Sequence, residues 1–182
     1  MKTAPGKIKK LFQVWRSGGF GGVRRKLSHR LKAFFARRAE RKQIEETDRL
    51  TGEERREIRQ NIEDFPLKPL ISVILPVYNV EEKWLRACLD SVRCQLYSNW
   101  ELCVADDCSP APHVRRVLEE YAALDERIKV VFRETNGHIS AASNSALELA
   151  RGEFAALLDH DDELAEDALY YVVREINRFP EV

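Results

Sequence analysis

Long apolar runs are missing from this 182-residue chain: no stretch approaches the ~20 consecutive apolar residues that a membrane-spanning helix needs. The basic N-terminus also lacks the continuous apolar segment of a secretory signal. On these two absences the expectation is a cytoplasmic protein whose membrane contact, if any, is peripheral, at the inner face of the cell membrane. Cysteine is scarce. Cys88, Cys94, Cys103 and Cys108 form no C-x-x-C pair, and no histidine stands at zinc-finger spacing from them. Three of the four lie in or beside apolar segments, so reduced, buried or incidental thiols are expected rather than a zinc site or disulfide framework. The glycine-rich phosphate loops are absent too. No G-x-x-x-x-G-K-[ST] occurs, and the cluster Gly18, Gly19, Gly21, Gly22 has no strand ahead of it. P-loop enzymes and dinucleotide-dependent dehydrogenases are thereby set aside.

A net charge of one sign is missing as well, but the zero balance hides a division. Residues 1–60 carry 18 Lys and Arg against 7 Asp and Glu, whereas residues 61–182 carry 12 against 23. Segments of opposite sign imply separate roles. The basic part reads as helical. Ile8, Leu11, Phe12 and Trp15 form one apolar stripe and Leu27, Leu31, Phe34 and Phe35 another, each among lysines and arginines. Residues 7–38 would suit an anionic membrane surface, or packing on a neighbouring domain or chain; nucleic acid is not the expected partner. The mostly charged stretch 40–62 suits an exposed helix or helical linker, and Pro66 and Pro69 mark a boundary. The expected organisation is an extension over residues 1–67 and a second domain over 68–182.

Beyond Pro69 the pattern alternates. Apolar runs at 70–75, 100–105, 128–132 and 154–158 read as buried strands, and amphipathic segments at 81–96, 114–124, 140–150 and 163–177 read as helices. This alternation predicts an α/β domain, a mostly parallel sheet with helices on both faces. Ligands in such sheets bind beyond the carboxyl ends of the strands. Each strand here empties into polar residues: Pro76-Val77-Tyr78-Asn79, Asp106-Asp107-Cys108-Ser109, Glu134-Thr135-Asn136-Gly137-His138, and Asp159-His160-Asp161-Asp162.

Carboxylates at the end of a buried strand are fixed in direction and need compensating charge, which a divalent cation bridging to a diphosphate supplies. Asp159 and Asp161 therefore read as metal and diphosphate ligands. The competing reading has Asp162 cap the next helix while Asp159 faces water. Asp106 and Asp107 fit either a turn before Ser109-Pro110 or a carboxylate accepting hydrogen bonds from a base or ribose. Tyr78 fits a ring stacked on a base or an ordinary loop tyrosine. Asn136-Gly137 suits a tight turn, and His160 is as compatible with pointing away from the metal as with flanking it.

In order, Ile71-Ser72-Val73-Ile74-Leu75-Pro76-Val77-Tyr78-Asn79, Cys88-Leu89-Asp90-Ser91-Val92 and Trp100-Glu101-Leu102-Cys103-Val104-Ala105-Asp106-Asp107-Cys108-Ser109 are followed by Asn136-Gly137, Ala142-Ser143-Asn144, Gly152-Glu153-Phe154 and Leu158-Asp159-His160-Asp161-Asp162. This series resembles the family-2 glycosyltransferases of the GT-A fold, from about Ile71 to Tyr170. The resemblance implies a Rossmann-like nucleotide-binding half. Val77 and Tyr78 would flank the base, with Pro76, Asn79 and Asp106 beside them, and Asp107 would bond a uracil-type edge. Asn136 and Asn144 would lie near the nucleotide and donor sugar. Asp159 and Asp161 would form the Asp-x-Asp element, with Asp161 the direct ligand of Mg²⁺ or Mn²⁺. Ser143 stands where many members carry Arg, which withdraws a diphosphate contact from that position. The implied activity is inverting transfer of a sugar from a UDP- or dTDP-sugar to a glycan or lipid-linked acceptor, in cell-envelope polysaccharide synthesis. The general base is expected beyond Val182. A nucleotidyltransferase would want a glycine-rich basic loop after the first strand, which Pro76-Val77-Tyr78-Asn79 does not provide. A non-catalytic nucleotide-sugar-binding or scaffold domain is the alternative if the natural chain ends at Val182.

Overall fold

A computed structural model describes residues 50–180; the stripes expected over residues 7–38 lie outside the described residues, as does Val182. The compact unit that contains the sheet begins at Gly52. Its elements, in chain order, are α1 (Gly52–Asp64), β1 (Ile71–Val77), α2 (Glu82–Arg93), β2 (Trp100–Asp106), α3 (Pro112–Leu124), β3 (Ile128–Phe132), α4 (His138–Leu147), β4 (Phe154–Leu157) and α5 (Ala168–Arg178).

The four strands are parallel and ordered β3-β2-β1-β4. β1 and β2 are buried along their whole lengths, as strands covered on both faces must be. Alternation sends Ile71, Val73, Leu75 and Val77 to one side, where they meet Leu85, Cys88, Leu89 and Val92 of α2, Val117 and Leu118 of α3, and Leu169 and Val173 of α5. Ile74, Cys103 and Ala105 face the other side, against Ala142 and Ala146 of α4. The expected α/β architecture is thus present; among the described residues, α2, α3 and α5 pack on one face and α4 on the other. Small side chains at Ala105, Ala142 and Ala146 let α4 lie close to the sheet, and that closeness brings its N-terminus over the strand ends.

The α4 face also holds a buried polar junction. Glu101, 4% exposed, accepts hydrogen bonds from Ser72 Oγ (2.7 Å) and the Gly152 N–H (3.1 Å), and pairs with Lys129. Burial alone would raise its carboxyl, but Lys129, Ser72 and the Arg151 N–H hold it down at about 2. The junction clamps the chain entering β4 onto β1 and β2.

α1, drawn from the charged stretch before Pro66, packs against α5. Ile58 is buried, Phe65 stacks on Tyr170 with ring centroids 5.7 Å apart, and Asn61 Nδ2 donates to Tyr170 Oη at 3.2 Å. Leu67 N–H donates to Asn177 Oδ1 (2.9 Å), whose Nδ2 returns a bond to Leu67 O (2.8 Å).

Helix boundaries differ from the pattern-based expectation at several ends: α2 stops at Arg93 rather than at 96, and α3 begins at Pro112 rather than at 114. α4 begins at His138 and ends at Leu147 rather than covering 140–150. α5 begins at Ala168, five residues after the predicted start at Glu163, because the intervening backbone bonds to α2 instead of to itself. Among the described residues no helix is long and apolar enough to cross a membrane.

Candidate functional site

The connections out of the sheet place the site. β1 leads through α2 to β2, and β2 through α3 to β3, moving one way across the sheet; the chain then returns by α4 to β4 on the far side of β1. The direction reverses between β1 and β4, and that reversal opens a crevice at the carboxyl ends of the strands. A cleft of about 430 Å³ lies there. Its walls include Pro76, Val77 and Tyr78 from β1, Asp107 from β2, Asn136 and His138 before and at the start of α4, and Asp159, His160 and Asp161 after β4. Asn79 and Cys108, each two residues past a strand end, and His138, at the start of α4, have positive φ angles of 48°, 60° and 63°. Non-glycine residues rarely adopt this conformation, and such residues concentrate at ligand sites.

Asp107 is the most enclosed of the polar groups, at 2% exposure. Its carboxylate accepts the Gly137 N–H at 3.0 and 3.1 Å. Arg133 Nε stands 2.9 Å from Oδ1, with its N–H angled too far off the oxygen to make a hydrogen bond, so that contact is coulombic. Arg133 reaches onward through Nη1 to Ala141 O (2.7 Å) and Ser145 Oγ (2.8 Å), tying the end of β2 to α4. Asn136 Nδ2 donates to Asp107 O at 3.2 Å. The Asp107 carboxylate is therefore held rigidly at the cleft wall, with lone pairs left to accept from a ligand. Asp106 does something different: its Oδ1 accepts the Ser109 N–H at 3.3 Å and closes the turn.

The acidic end of the cleft has the opposite character. Asp159, Asp161, Asp162 and Glu163 are exposed, and among the described residues no cation pairs with their side chains. Asp162 does not cap a helix, since α5 starts six residues later with Asp167 before it. The Asp162 N–H instead donates to Asp159 O at 3.1 Å, turning the backbone so that the loop bends back at the strand end. Oxygen donors of this kind suit Mg²⁺ or Mn²⁺, which retain further positions for water and phosphate oxygens. Among the described residues no three acidic, histidine or cysteine side chains cluster as a complete metal cage. Asp159 and Asp161 supply carboxylate oxygens of the kind such an ion takes, as part of a ligand set and not the whole of one.

Of the residues expected from the sequence, the cleft brings together Pro76, Val77, Tyr78, Asp107, Asn136, Asp159 and Asp161. Asn79, Asp106 and Asn144 are not in its lining. Asn79 is exposed and its N–H is taken by Ser109 Oγ at 2.8 Å, while Asn144 is exposed on α4. Three contributors had no role assigned from sequence: Arg133, His138 and Ile139. Arg133 was hidden in the sequence: Asp106 is in register with Phe132, and the next residues outward are Asp107 and Arg133. Seeing that pairing requires the β2–β3 register, which the sequence does not display.

Comparison with known proteins bears on the same segment. Residues 72–182 match the model of Glycosyl transferase family 2. An uncharacterized protein of Sinorhizobium fredii is 60% identical over 113 residues, covering 62% of this chain and 12% of that protein. The putative teichuronic acid biosynthesis glycosyltransferase TuaG of Bacillus subtilis is 42% identical over 102 residues, covering 56% of this chain and 40% of that protein. The chain therefore spans well under half the length of these relatives. Among solved structures, S. aureus TarS in complex with UDP-GlcNAc matches with a TM-score of 0.54 at 34% identity, covering 59% of this chain and 31% of that one. The mannosyltransferase PcManGT from Pyrobaculum calidifontis, in complex with GDP-Man and Mn²⁺, matches with a TM-score of 0.56 at 26% identity, covering 62% and 34%.

Proposed function

Because the chain belongs to glycosyl transferase family 2, we propose that its cleft is the donor site of a glycosyltransferase that uses a nucleoside-diphosphate sugar, UDP- or dTDP-linked, and a glycan or lipid-linked acceptor. The observation that carries this reading is the pairing of two kinds of wall in one cleft. Tyr78 and the anchored Asp107 stand on one side, and the exposed carboxylates Asp159 and Asp161 stand on the other. A base needs an aromatic or apolar face and a fixed hydrogen-bond acceptor. A diphosphate beside aspartates needs a cation between them.

In this arrangement Val77 and Tyr78 flank the base and Asp107 accepts from its edge. Asn136 lies toward the ribose and sugar. Asp161 and Asp159 would hold Mg²⁺ or Mn²⁺, whose chemistry when bound would be to offset the charge of the nucleoside diphosphate as a leaving group. The chain's own residues bind and orient the donor, and none of them is assigned to deprotonating the acceptor. The proposed stereochemical course is inversion at the anomeric carbon.

The family relatives whose names specify a pathway, such as TuaG, support an acceptor in cell-surface polysaccharide synthesis. A cytoplasmic site for the donor chemistry belongs to the same proposal, as does peripheral membrane contact through residues 7–38. Calorimetric titration of UDP, with and without Mn²⁺, tests the donor assignment. Binding should depend on Mn²⁺ and should disappear in Asp161→Ala while the variant keeps the wild-type circular dichroism. Metal-independent binding that survives Asp161→Ala would contradict it.

A further inference from the structure

Residues 158–167, between β4 and α5, contain neither helix nor strand, yet their backbone is held at several points by one neighbouring helix. Cys88, Ser91 and Gln95 lie on one side of α2 and its C-terminal end, at spacings of three and four. The Cys88 thiol donates to Asp159 O at 3.6 Å. Ser91 Oγ accepts the Leu164 N–H at 3.0 Å. Gln95 Nε2 donates to Ala165 O at 2.6 Å and its Oε1 accepts the Leu169 N–H at 3.0 Å. Just beyond, Leu96 N–H donates to Glu166 O at 2.8 Å.

The polarity of this row is determined within the row itself. Ser91 donates its hydroxyl hydrogen to Cys88 O at 2.7 Å, which leaves its lone pairs for the Leu164 amide. Both Nε2 partners of Gln95, Ala165 O and Ser91 O, are carbonyls, and its Oε1 partner is an N–H, so one orientation of the amide satisfies all three. On the outer side, Arg55 of α1 grips the Glu166 carboxylate with Nη2 at 2.6 Å and Nε at 2.8 Å.

A segment carrying Asp159, Asp161, Asp162 and Glu163 in succession without cations would spread to separate its charges. That field is felt by Cys88, whose thiol is pushed up to about 12 by burial first and by those four acids after it. The anchors act on backbone atoms, behind the carboxylates, and leave the side chains free toward the cleft.

We propose that Ser91 and Gln95 are positioning residues for the metal–diphosphate site, fixing the backbone of 159–169 so that Asp159 and Asp161 face the donor before it binds. The inference rests on the donor reading above. Its reach is different, because it places function in a helix that touches neither nucleotide nor metal.

The test uses the 182-residue chain with Ser91→Ala, Ser91→Thr and Gln95→Leu, read by amide hydrogen exchange and by Mn²⁺-supported UDP titration. Ser91→Ala and Gln95→Leu should lose protection within 159–169 while β1, β2 and α2 keep theirs. Their affinity for UDP with Mn²⁺ should fall about tenfold or more, the usual effect of removing a group that orients metal ligands. Ser91→Thr, which keeps the hydroxyl, should restore both readouts. Wild-type affinity in both deletion variants would overturn the inference, and so would protection lost throughout the sheet. A wild-type chain that shows no Mn²⁺-supported UDP binding would instead overturn the donor reading, and this inference with it.

Discussion

At the scale of single residues, the cleft is built from groups with sharply different degrees of restraint. Asp107 is enclosed and doubly held, by the Gly137 amide and the Arg133 guanidinium, whereas Asp159 and Asp161 are exposed and, among the described residues, have no cation paired with them. This contrast matches their proposed tasks, since an acceptor that reads a base must not move and a carboxylate awaiting a metal must not be neutralised. Arg133 is the residue on which the first half depends. Arg133→Met keeps the stem but leaves Asp107 buried beside one backbone amide. It should lower stability to urea by about 2 kcal/mol or more, the scale of a buried charge losing its partner. It should also weaken UDP binding, measured on protein still folded at the working temperature. Stability and affinity equal to wild type would show that Asp107 is held by Gly137 alone. Sequence reasoning named Asp107 but not Arg133, because strand-end acids are visible as a pattern while their partner lies 26 residues away in a neighbouring strand.

At the scale of elements, strands were the more legible. The runs that became β1 to β4 are mostly apolar, short and followed within four residues by Asn or Asp, and burial on both faces of the inner strands leaves no room for a competing pattern. Helix ends were less legible. Glu163, Leu164, Ala165 and Glu166 are good helix formers, but Ser91, Gln95 and Leu96 take their backbone groups and postpone α5 to Ala168. Tertiary bonds there override local propensity, and nothing in the segment itself announces them. The order β3-β2-β1-β4 was likewise hidden, though parallel pairing was not. Gly152 shows how a single position governs an element. A Cβ there would stand 2.4 Å from Leu70 O and 2.6 Å from Ser72 Oγ, inside the junction that Glu101 organises. Gly152→Ala should therefore push the start of β4 off β1 and cost about 1–3 kcal/mol in thermal or chemical denaturation. A neutral effect would mean that β4 tolerates displacement and does not fix the Asp159 loop rigidly.

At the scale of the molecule, the charge division and the fold agree on where chemistry belongs. The acidic excess falls in residues 61–182, and Asp107, Asp159 and Asp161 of that segment line the cleft. The family assignment rests on residues 72–182, and the relatives extend well past the portion this chain covers. The proposal assigns the donor side to the described residues: a sheet whose strand order reverses between β1 and β4, a wall from the ends of β1 and β2 that would face the base, and an acidic loop after β4. The central claim is that these three meet one ligand. The most direct test is a crystal of the chain grown with UDP and Mn²⁺, with diffraction recorded at the manganese absorption edge. One anomalous peak at Asp161, within coordinating distance of the diphosphate and with the uracil between Tyr78 and Asp107, is the expected result. A nucleotide bound elsewhere, or manganese in the cleft with no contact to Asp159 or Asp161, would contradict the account.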